Sequence, residues 1–235
     1  MELPKIIIED TLQKVGYHDN VAAYCADAGI RLIRSRLVCG DYATIYVPEH
    51  IEDVDAWLTS LVPNLQFKST GVCIDTKDGL GEVYKNLVLD HDRVARECDR
   101  AVENGWKLIF LVEDEDIESV DEVHNWVNPR YQMWATRYEK IKEGHKKGRY
   151  MGTKLPKPPV SSERLETMMK TFAEHHECEW CFCSHKDTGR VIAELLSYIV
   201  LDKNKAFAFS IDRLTTEELA ELIERTQGWV KNDDA

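Results

Sequence analysis

The sequence lacks a long apolar stretch. No uninterrupted apolar run approaches the roughly 18–20 residues that a membrane-spanning helix requires. The opening segment, MELPKIIIED, contains only a short apolar run that ends in two acids, which is not the pattern of a signal peptide. We therefore predict no membrane partner and a cytoplasmic location.

The cysteines lack the even number that is typical of a disulfide framework. The chain has 7 cysteines, and most of them (Cys25, Cys39, Cys73 and Cys98) lie in apolar or helical contexts. This pattern indicates reduced thiols in a cytoplasmic protein rather than a small secreted scaffold held by disulfides.

Positive charge is scarce overall and concentrated in one place. The formal net charge is −12, which argues against a passive nucleic-acid coat. Residues 130–157, which we call the basic arm, nevertheless carry nine Lys/Arg and two Glu, so this segment is +7 and the remainder is −19. A basic arm on an acidic body is typical of a protein that meets phosphates at one place.

Apolar residues are abundant enough for a core. They make up 43% of the 235 residues, which excludes global disorder and suits one large domain, alone or with a small extension. Their periodicity alternates between that of strands and that of helices, which predicts a mixed α/β core. Strands are predicted at 5–10, 30–47 (one or two), 72–77, 106–114 and 178–183, and helices at 19–28, 48–64, 81–105 with a break near Asp90, 162–175, 187–200 and 215–228.

Two short acidic motifs carry the chemistry of the sequence: DTK at 75–77, which ends an apolar run, and GDY at 40–42. Residues i and i+2 of a strand face the same side, so Asp75 and Lys77 are predicted to share one site, while Thr76 points away and offers its backbone carbonyl. Mg²⁺ is usually bound through one or two carboxylates, waters and substrate phosphate. A lysine beside it can orient or deprotonate the attacking water and offset charge at phosphorus. Taken alone, the DTK triplet also fits a surface turn.

These residues resemble a known family, the PD-(D/E)XK nucleases, and more narrowly the XPF-type nuclease domain of structure-specific DNA endonucleases in its small stand-alone phage or bacterial form. GDY matches the family's Gly-Asp motif, and CIDTKDGLGEVYKNL at 73–87 is similar to its Glu-Arg-Lys strand and the helix that follows. The other matching stretches are IIIEDT at 6–11, DHDRVARECDRA at 90–101 and KLIFLVED at 107–114, with a less specific likeness over 158–196.

The resemblance implies a fold and a domain organisation. It predicts an α/β, restriction-endonuclease-like core in which a mixed central β-sheet is flanked by helices. The nuclease domain would span 1–202, with an insertion at 48–70 and the basic arm at 130–157. Residues 203–235 would form a C-terminal helical extension.

The resemblance also implies an activity. The expected function is a Mg²⁺-dependent endonuclease, with Mn²⁺ as a substitute, that hydrolyses branched or flapped DNA or DNA at junctions of single and double strands. Carried over by position, Asp41 and Asp75 ligate the metal together with the Thr76 carbonyl, and Lys77 acts on the water. Asp10 would be a third acid near the metal.

Other residues are predicted to hold the substrate. Glu82 would support phosphate or metal, and Arg93 would contact the scissile phosphate. Aromatic residues are mixed with the basic residues of the basic arm. Such a composition can stack on nucleobases and hold phosphates. A solvated loop is the simpler alternative. The arm residues that we expect on DNA are Arg137, Lys146, Lys147 and Arg149. Because the family often works as dimers, a homodimer is compatible with the resemblance, as is a nucleoid-associated protein of a prokaryote or phage.

Departures from the family pattern motivate an alternative function. Leu12-Gln13 stand where the family has Arg-Glu, Thr76 replaces its arginine and Glu97 its helical glutamine. A catalytically weak or inactive DNA-binding or scaffold protein with the same fold would tolerate these changes.

A second alternative is a zinc-stabilised interaction module, since Cys178 and Cys181 have finger-like spacing. The neighbouring residues that enter this interpretation are His175, His176, Cys183 and His185. The same stretch also fits a strand with Cys181 and Cys183 on one face and aromatic residues on the other.

Overall fold

The computed structural model describes residues 4, 6–13, 19–44, 71–149 and 154–197. The predicted insertion at 48–70, the helix predicted at 48–64 and the predicted extension at 203–235, with its helix at 215–228, lie outside these described residues. Within them, strands and helices alternate along the chain, and the predicted α/β class is confirmed.

Six strands of the described chain form one sheet. They are β1 (Ile6–Asp10), β2 (Arg31–Ser35), β3 (Tyr42–Ala43), β4 (Val72–Lys77), β5 (Lys107–Glu113) and β6 (Glu179–Cys183), in the spatial order β2-β1-β3-β4-β5-β6. β3 is antiparallel to both of its neighbours, β1 and β4, and the other pairs are parallel. The sheet is therefore mixed, as predicted.

Helices cover both faces of this sheet. They are α1 (Asp19–Asp27), α2 (Gly79–Val88), α3 (His91–Glu103), α4 (Pro129–Lys146), α5 (Ser162–His176) and α6 (Thr188–Ser197), with 3-10 turns at Val120–Asn125 and His185–Asp187. One hydrophobic cluster joins α2, α3 and α5 to the sheet, and a second joins α1 and α6 to its other face. We call these the first and second faces. The predicted helix at 81–105 is broken near Asp90, as expected.

Strand β5 shows why the sheet is buried on both sides. Leu108, Phe110 and Val112 enter the first cluster, whereas Ile109 and Leu111 enter the second. A strand covered on both faces reads as a continuous apolar run, which is why KLIFLV was the clearest strand in the sequence.

Strand β4 is buried in the same way but becomes polar at its end. Cys73 lies in the first cluster, and strand alternation keeps Asp75 and Lys77 on that same face. Both charged residues are buried. A buried carboxylate and ammonium are costly unless they are paired, so the end of β4 marks the site.

Most of the basic arm is a helix, which the sequence analysis did not predict. α4 begins at Pro129, a favoured first helical residue, and the Asn128 side chain accepts a hydrogen bond of 3.0 Å from the Arg130 amide. The simpler alternative of a solvated loop is therefore wrong over Pro129–Lys146. None of the helices in the described residues is long and apolar enough to cross a membrane.

Gly40 controls the distance between β3 and β4. Its φ is +69°, and a Cβ there would lie 2.9 Å from the Ile74 carbonyl oxygen and 3.2 Å from the Cys73 Cβ. Any side chain would have to push the start of β3 away from β4. The glycine of the GDY motif is thus a packing requirement of this strand pair.

We expect Gly40→Ala to lower the free energy of unfolding by about 2 kcal/mol or more, because it combines left-handed backbone strain with a backbone clash. Gly29→Ala separates the two effects, since Gly29 has a φ of +71° but nothing within 4 Å of its Cβ position. Denaturant unfolding measures both, and equal losses would show that the clash is absent.

Candidate active site

Asp41 and Asp75 meet because β3 runs antiparallel to β4. Tyr42 pairs with Ile74, so one step further along this register Asp41 lies opposite Asp75. The Asp41 amide donates to the Ile74 carbonyl at 2.6 Å. The predicted pairing of the two motifs, 34 residues apart in sequence, is therefore present in the structure.

The Asp41 carboxylate is held by Thr76. Its Oδ2 accepts hydrogen bonds from the Thr76 amide at 2.8 Å and from the Thr76 hydroxyl at 2.6 Å. This differs from the expectation that Thr76 points away from the site. Strand alternation does direct the Thr76 side chain to the opposite face from Asp75. The Asp41 carboxylate nevertheless reaches it, because Asp41 lies where β3 begins.

Asp75 and Lys77 form a buried ion pair on the first face. The Lys77 Nζ lies 2.5 Å from the Asp75 Oδ2, and the Lys77 and Asp75 side chains are 4% and 8% exposed. The ammonium also lies 5.3 Å from the centroid of the Phe110 ring. The shared face predicted from the i, i+2 spacing is confirmed.

The pKa values of Asp75 and Lys77 depend on their burial, on each other and on the neighbouring carboxylate of Asp41. Burial raises the pKa of Asp75 to about 7; Lys77 opposes this rise, and the Asp41 charge adds to it. For Lys77, burial lowers the pKa, but the charges of Asp75 and Asp41 more than offset this, so its pKa is raised. Lys77 is therefore a cation at neutral pH, and the site as a whole attracts positive charge.

Glu97 also belongs to the site, although the sequence indicated it only as a replacement of the family's helical glutamine. It lies on α3, its side chain is 14% exposed, and its Oε1 accepts from the Gly40 amide at 3.3 Å. Burial, and then the Asp75 charge, raise its pKa. A signal was present, because Glu97 lies at helical spacing from the buried Val94 and Ala101 and so on the inner face of α3.

Glu82 and Arg93 each interact with a group of the site, and their roles towards phosphate or metal stay predictions. Glu82 accepts from the Asp78 amide at 2.9 Å, and its charge contributes to the raised pKa of Lys77. Arg93 reaches Glu97 at 3.7 Å while 55% of its side chain stays exposed. Arg93 is thus connected to the acid site and open to a ligand.

Asp10 contacts the site through its backbone. Its amide donates to the Asp41 carbonyl at 2.8 Å, whereas its carboxylate accepts from the Leu37 amide at 3.1 Å. This carboxylate therefore caps the chain that leads from β2 to Gly40. Its role as a third acid near a metal stays a prediction.

The predicted DNA-binding residues of the basic arm are all exposed. They lie on the surface of α4 and on the turn that follows it. These residues are Arg137, Lys146, Lys147 and Arg149. Lys147 pairs with Glu143 at 2.5 Å, a surface contact that contributes little to stability.

The two acids of the site are of the kind that Mg²⁺ uses as ligands. In the part of the chain that the structure describes, no group of three or more His, Cys, Asp or Glu side chains is arranged to hold a metal, so the fit depends on Asp41 and Asp75. Mg²⁺ needs only one or two carboxylates besides waters and phosphate oxygens. A divalent cation would also offset the Asp41 charge, which adds to the rise that burial causes in the pKa of Asp75.

The cysteine cluster is divided by the sheet. Cys178 packs in the first cluster, whereas Cys181 and Cys183 pack against the second, and Trp180 and Phe182 contact the first. The two cysteines with finger-like spacing therefore face opposite sides of β6, which argues against a shared zinc ion. None of the seven cysteines forms a disulfide.

Comparisons with protein-family models, curated proteins and solved structures found no match for this chain. The interpretation of the site therefore depends on its residues and their geometry.

The stability of the metal-free protein should fall as the pH rises. The pKa of Asp75 in the folded state, about 7, exceeds the value of about 3.9 in an unfolded chain, so its bound proton stabilises the folded state. This contribution is complete below about pH 4 and is lost as the pH rises through about 7.

Denaturant unfolding in EDTA from pH 5 to 8 measures this dependence. We expect the free energy of unfolding to fall less steeply with pH in Asp75→Asn, because its side chain cannot ionise. In Asp116→Asn, a change at an exposed position, the free energy of unfolding should fall with pH as in the wild type. Parallel curves for wild type and Asp75→Asn would contradict the raised pKa.

Proposed function

We propose that this protein is a metal-dependent DNA endonuclease that hydrolyses a phosphodiester bond with Mg²⁺, or with Mn²⁺ in its place. The observation that carries the proposal is the contact of the buried pair Asp75 and Lys77 with the half-buried Asp41 at the end of β4. A carboxylate and a lysine are costly to bury beside a second acid for the sake of folding alone, and perturbed acids of this kind are typical of active sites.

Asp41 and Asp75 would hold the metal, with the Thr76 carbonyl as a third oxygen. When bound, Mg²⁺ supplies a polarised phosphoryl oxygen and an activated water. The hydrogen bonds from Thr76 to Asp41 orient one carboxylate in advance. Preorganised ligands of this kind need little rearrangement when substrate arrives.

Lys77 acts as an electrostatic group in this proposal. Its pKa is raised, so it keeps its proton at neutral pH and serves poorly as a general base. A fixed ammonium beside the acids offsets the negative charge that develops at phosphorus. Arg93, which is half exposed and tethered to Glu97, would bind a phosphate at the rim of the site.

The surface of α4 supports a DNA substrate. Tyr131, Trp134 and Tyr138 follow one another along this helix, with neighbouring ring centroids 5.1 Å apart, and the Lys142 ammonium lies 5.6 Å from the Tyr138 ring. Aromatic rings interleaved with basic residues bind unpaired bases and their phosphates. This composition favours branched or flapped DNA, or junctions of single and double strands, over plain duplex.

The alternative is a DNA-binding or scaffold protein with an inactive site. The observation that favours it is that the acids are already satisfied within the chain: Thr76 donates twice to Asp41, and Lys77 pairs with Asp75. Such a protein would bind branched DNA in EDTA without cutting it in either metal. A homodimer is compatible with both the endonuclease and the scaffold protein, and light scattering in solution tests for it.

Cleavage of labelled flap, fork, Holliday-junction and linear duplex DNA in Mg²⁺ or Mn²⁺ tests the proposed reaction. We expect Asp41→Asn and Asp75→Asn to lower the rate at least about 100-fold, because each removes a charged metal ligand while keeping the side-chain shape. Lys77→Met should have an effect of similar size, since it removes the cation that faces the phosphate.

Asp187→Asn is the control, because Asp187 is an acid at the 3-10 turn before α6 whose side chain contacts Ser184 and Arg190 rather than the site acids. It should cut like the wild type. If Asp75→Asn cleaves DNA at the wild-type rate, the assignment of Asp75 is contradicted. If the wild type and every variant bind DNA but none cleaves it, the scaffold alternative is favoured.

DNA binding should depend on salt through the basic arm. Replacement of Arg137, Lys146 and Arg149 by Ala should weaken binding and reduce the slope of log K against log salt by roughly 0.9 for each phosphate that these side chains neutralise in the wild type. Anisotropy titrations across a salt series measure the slope. Lys186→Ala, an exposed lysine outside the arm, should leave it unchanged; a slope unaffected by the triple variant would remove the arm from the interface.

A further inference from the structure

A cavity of about 580 Å³ lies beside the acid site. Its walls come from α2, from Asp90 and Arg93 at the start of α3, and from the residues that lead into α4. Cavities of this size are typical of sites that enclose a small molecule or one unit of a polymer. The residues that matter most for what it binds are Tyr84, Asn86, Arg93, Trp126 and Arg130.

Asn86 is a lining residue of this cavity and has an unused hydrogen-bond donor in its side chain. Its side chain is buried, and its Nδ2 has no hydrogen-bond partner among the described residues. Arg93 donates to the Oδ1 at 2.7 Å, which fixes the orientation of the amide, because the opposite orientation would set two donors against each other. A buried donor without a partner costs free energy, and an acceptor on a ligand would recover it.

Flat rings and cations line the same cavity. The Arg130 guanidinium lies 5.2 Å from the centroid of the Tyr84 ring, and Trp126 is half-buried nearby in the wall. A guanidinium and aromatic rings are the surfaces on which nucleobases stack. Arg93 and Lys85 add positive charge at the wall for a phosphate.

The lining of the cavity includes residues near both the acid site and the aromatic row of α4. Glu82, whose charge influences Lys77, is one of them. Pro129 and Arg130 also line it, and Tyr131, the first ring of the row on α4, follows directly in the chain.

We propose that this cavity binds one unpaired nucleotide of a DNA strand, next to the phosphate that is cut. This deepens the proposed endonuclease function and rests on it for the position of the cut. The Asn86 amide donates to an acceptor on the base, Trp126 and the Arg130 guanidinium over the Tyr84 ring stack against it, and Arg93 binds an adjoining phosphate. A paired base does not fit this description, because its faces and its hydrogen-bonding edge are already occupied in the duplex.

The test uses a DNA hairpin with a single unpaired 2-aminopurine in its stem, compared with the same hairpin fully paired. Binding is followed in EDTA by anisotropy and by 2-aminopurine fluorescence, so the readout does not require cleavage. We expect the wild type to bind the unpaired hairpin about 10-fold more tightly and to quench its fluorescence through stacking.

Arg130→Ala and Asn86→Leu should each remove most of this preference. Arg130 is exposed, so its variant keeps the proposal testable if Asn86→Leu fails to fold. The matched control is Arg190→Ala, an exposed arginine on α6 at the second face, which should keep both the preference and the quenching.

The outcomes separate this proposal from the endonuclease proposal. Cleavage by the wild type with no preference for the unpaired hairpin, or with a preference that survives Arg130→Ala, overturns the cavity assignment alone. An Arg130-dependent preference without cleavage in any metal supports the cavity and contradicts the endonuclease. Thymidine monophosphate that binds as tightly as the hairpin overturns the proposal, because the cavity would then hold a free nucleotide rather than part of a strand.

Discussion

The close antiparallel approach of β3 to β4 is the constraint on which the candidate site depends. It brings Asp41 opposite Asp75 and lets Thr76 hold the Asp41 carboxylate by two hydrogen bonds. Only a glycine at position 40 permits this approach, because a Cβ would meet the backbone of Ile74. Gly40 also donates its amide to Glu97, so the same residue connects the strand pair to α3.

Burial gives the site its chemical character. Asp75, Lys77 and Glu97 lie against the first hydrophobic cluster, where water does not screen their charges, and the carboxyl groups of Asp75 and Glu97 therefore have raised pKa values. An ion pair buried in this way contributes little to stability compared with an apolar replacement. Its presence at the end of a strand, beside a second acid, is the observation on which the proposed metal chemistry depends.

Much of the fold was predictable because its strands and helices have clear periodicities. The fully buried β5 and the helices on either side of Asp90 were placed correctly from apolar patterns. α4 was missed because its basic and aromatic residues give no apolar stripe, and it is stabilised instead by Pro129, the Asn128 cap and packing along the chain at 154–160. That packing includes the Trp134 indole, which donates to the Pro156 carbonyl at 2.8 Å.

The sequence by itself determined the identities and the local spacing of the site: an acid after a glycine, and an acid and a lysine two residues apart on one strand. Strand alternation then required Asp75 and Lys77 to share a face. Only the tertiary structure decided that Asp41 meets them, that Thr76 turns towards it and that Glu97 joins from α3. It also brought Asn86, whose side-chain Nδ2 has no hydrogen-bond partner among the described residues, to the wall of a cavity near the acids. These relations are between residues distant in the chain, and they arise from strand register and helix packing, which no local pattern specifies.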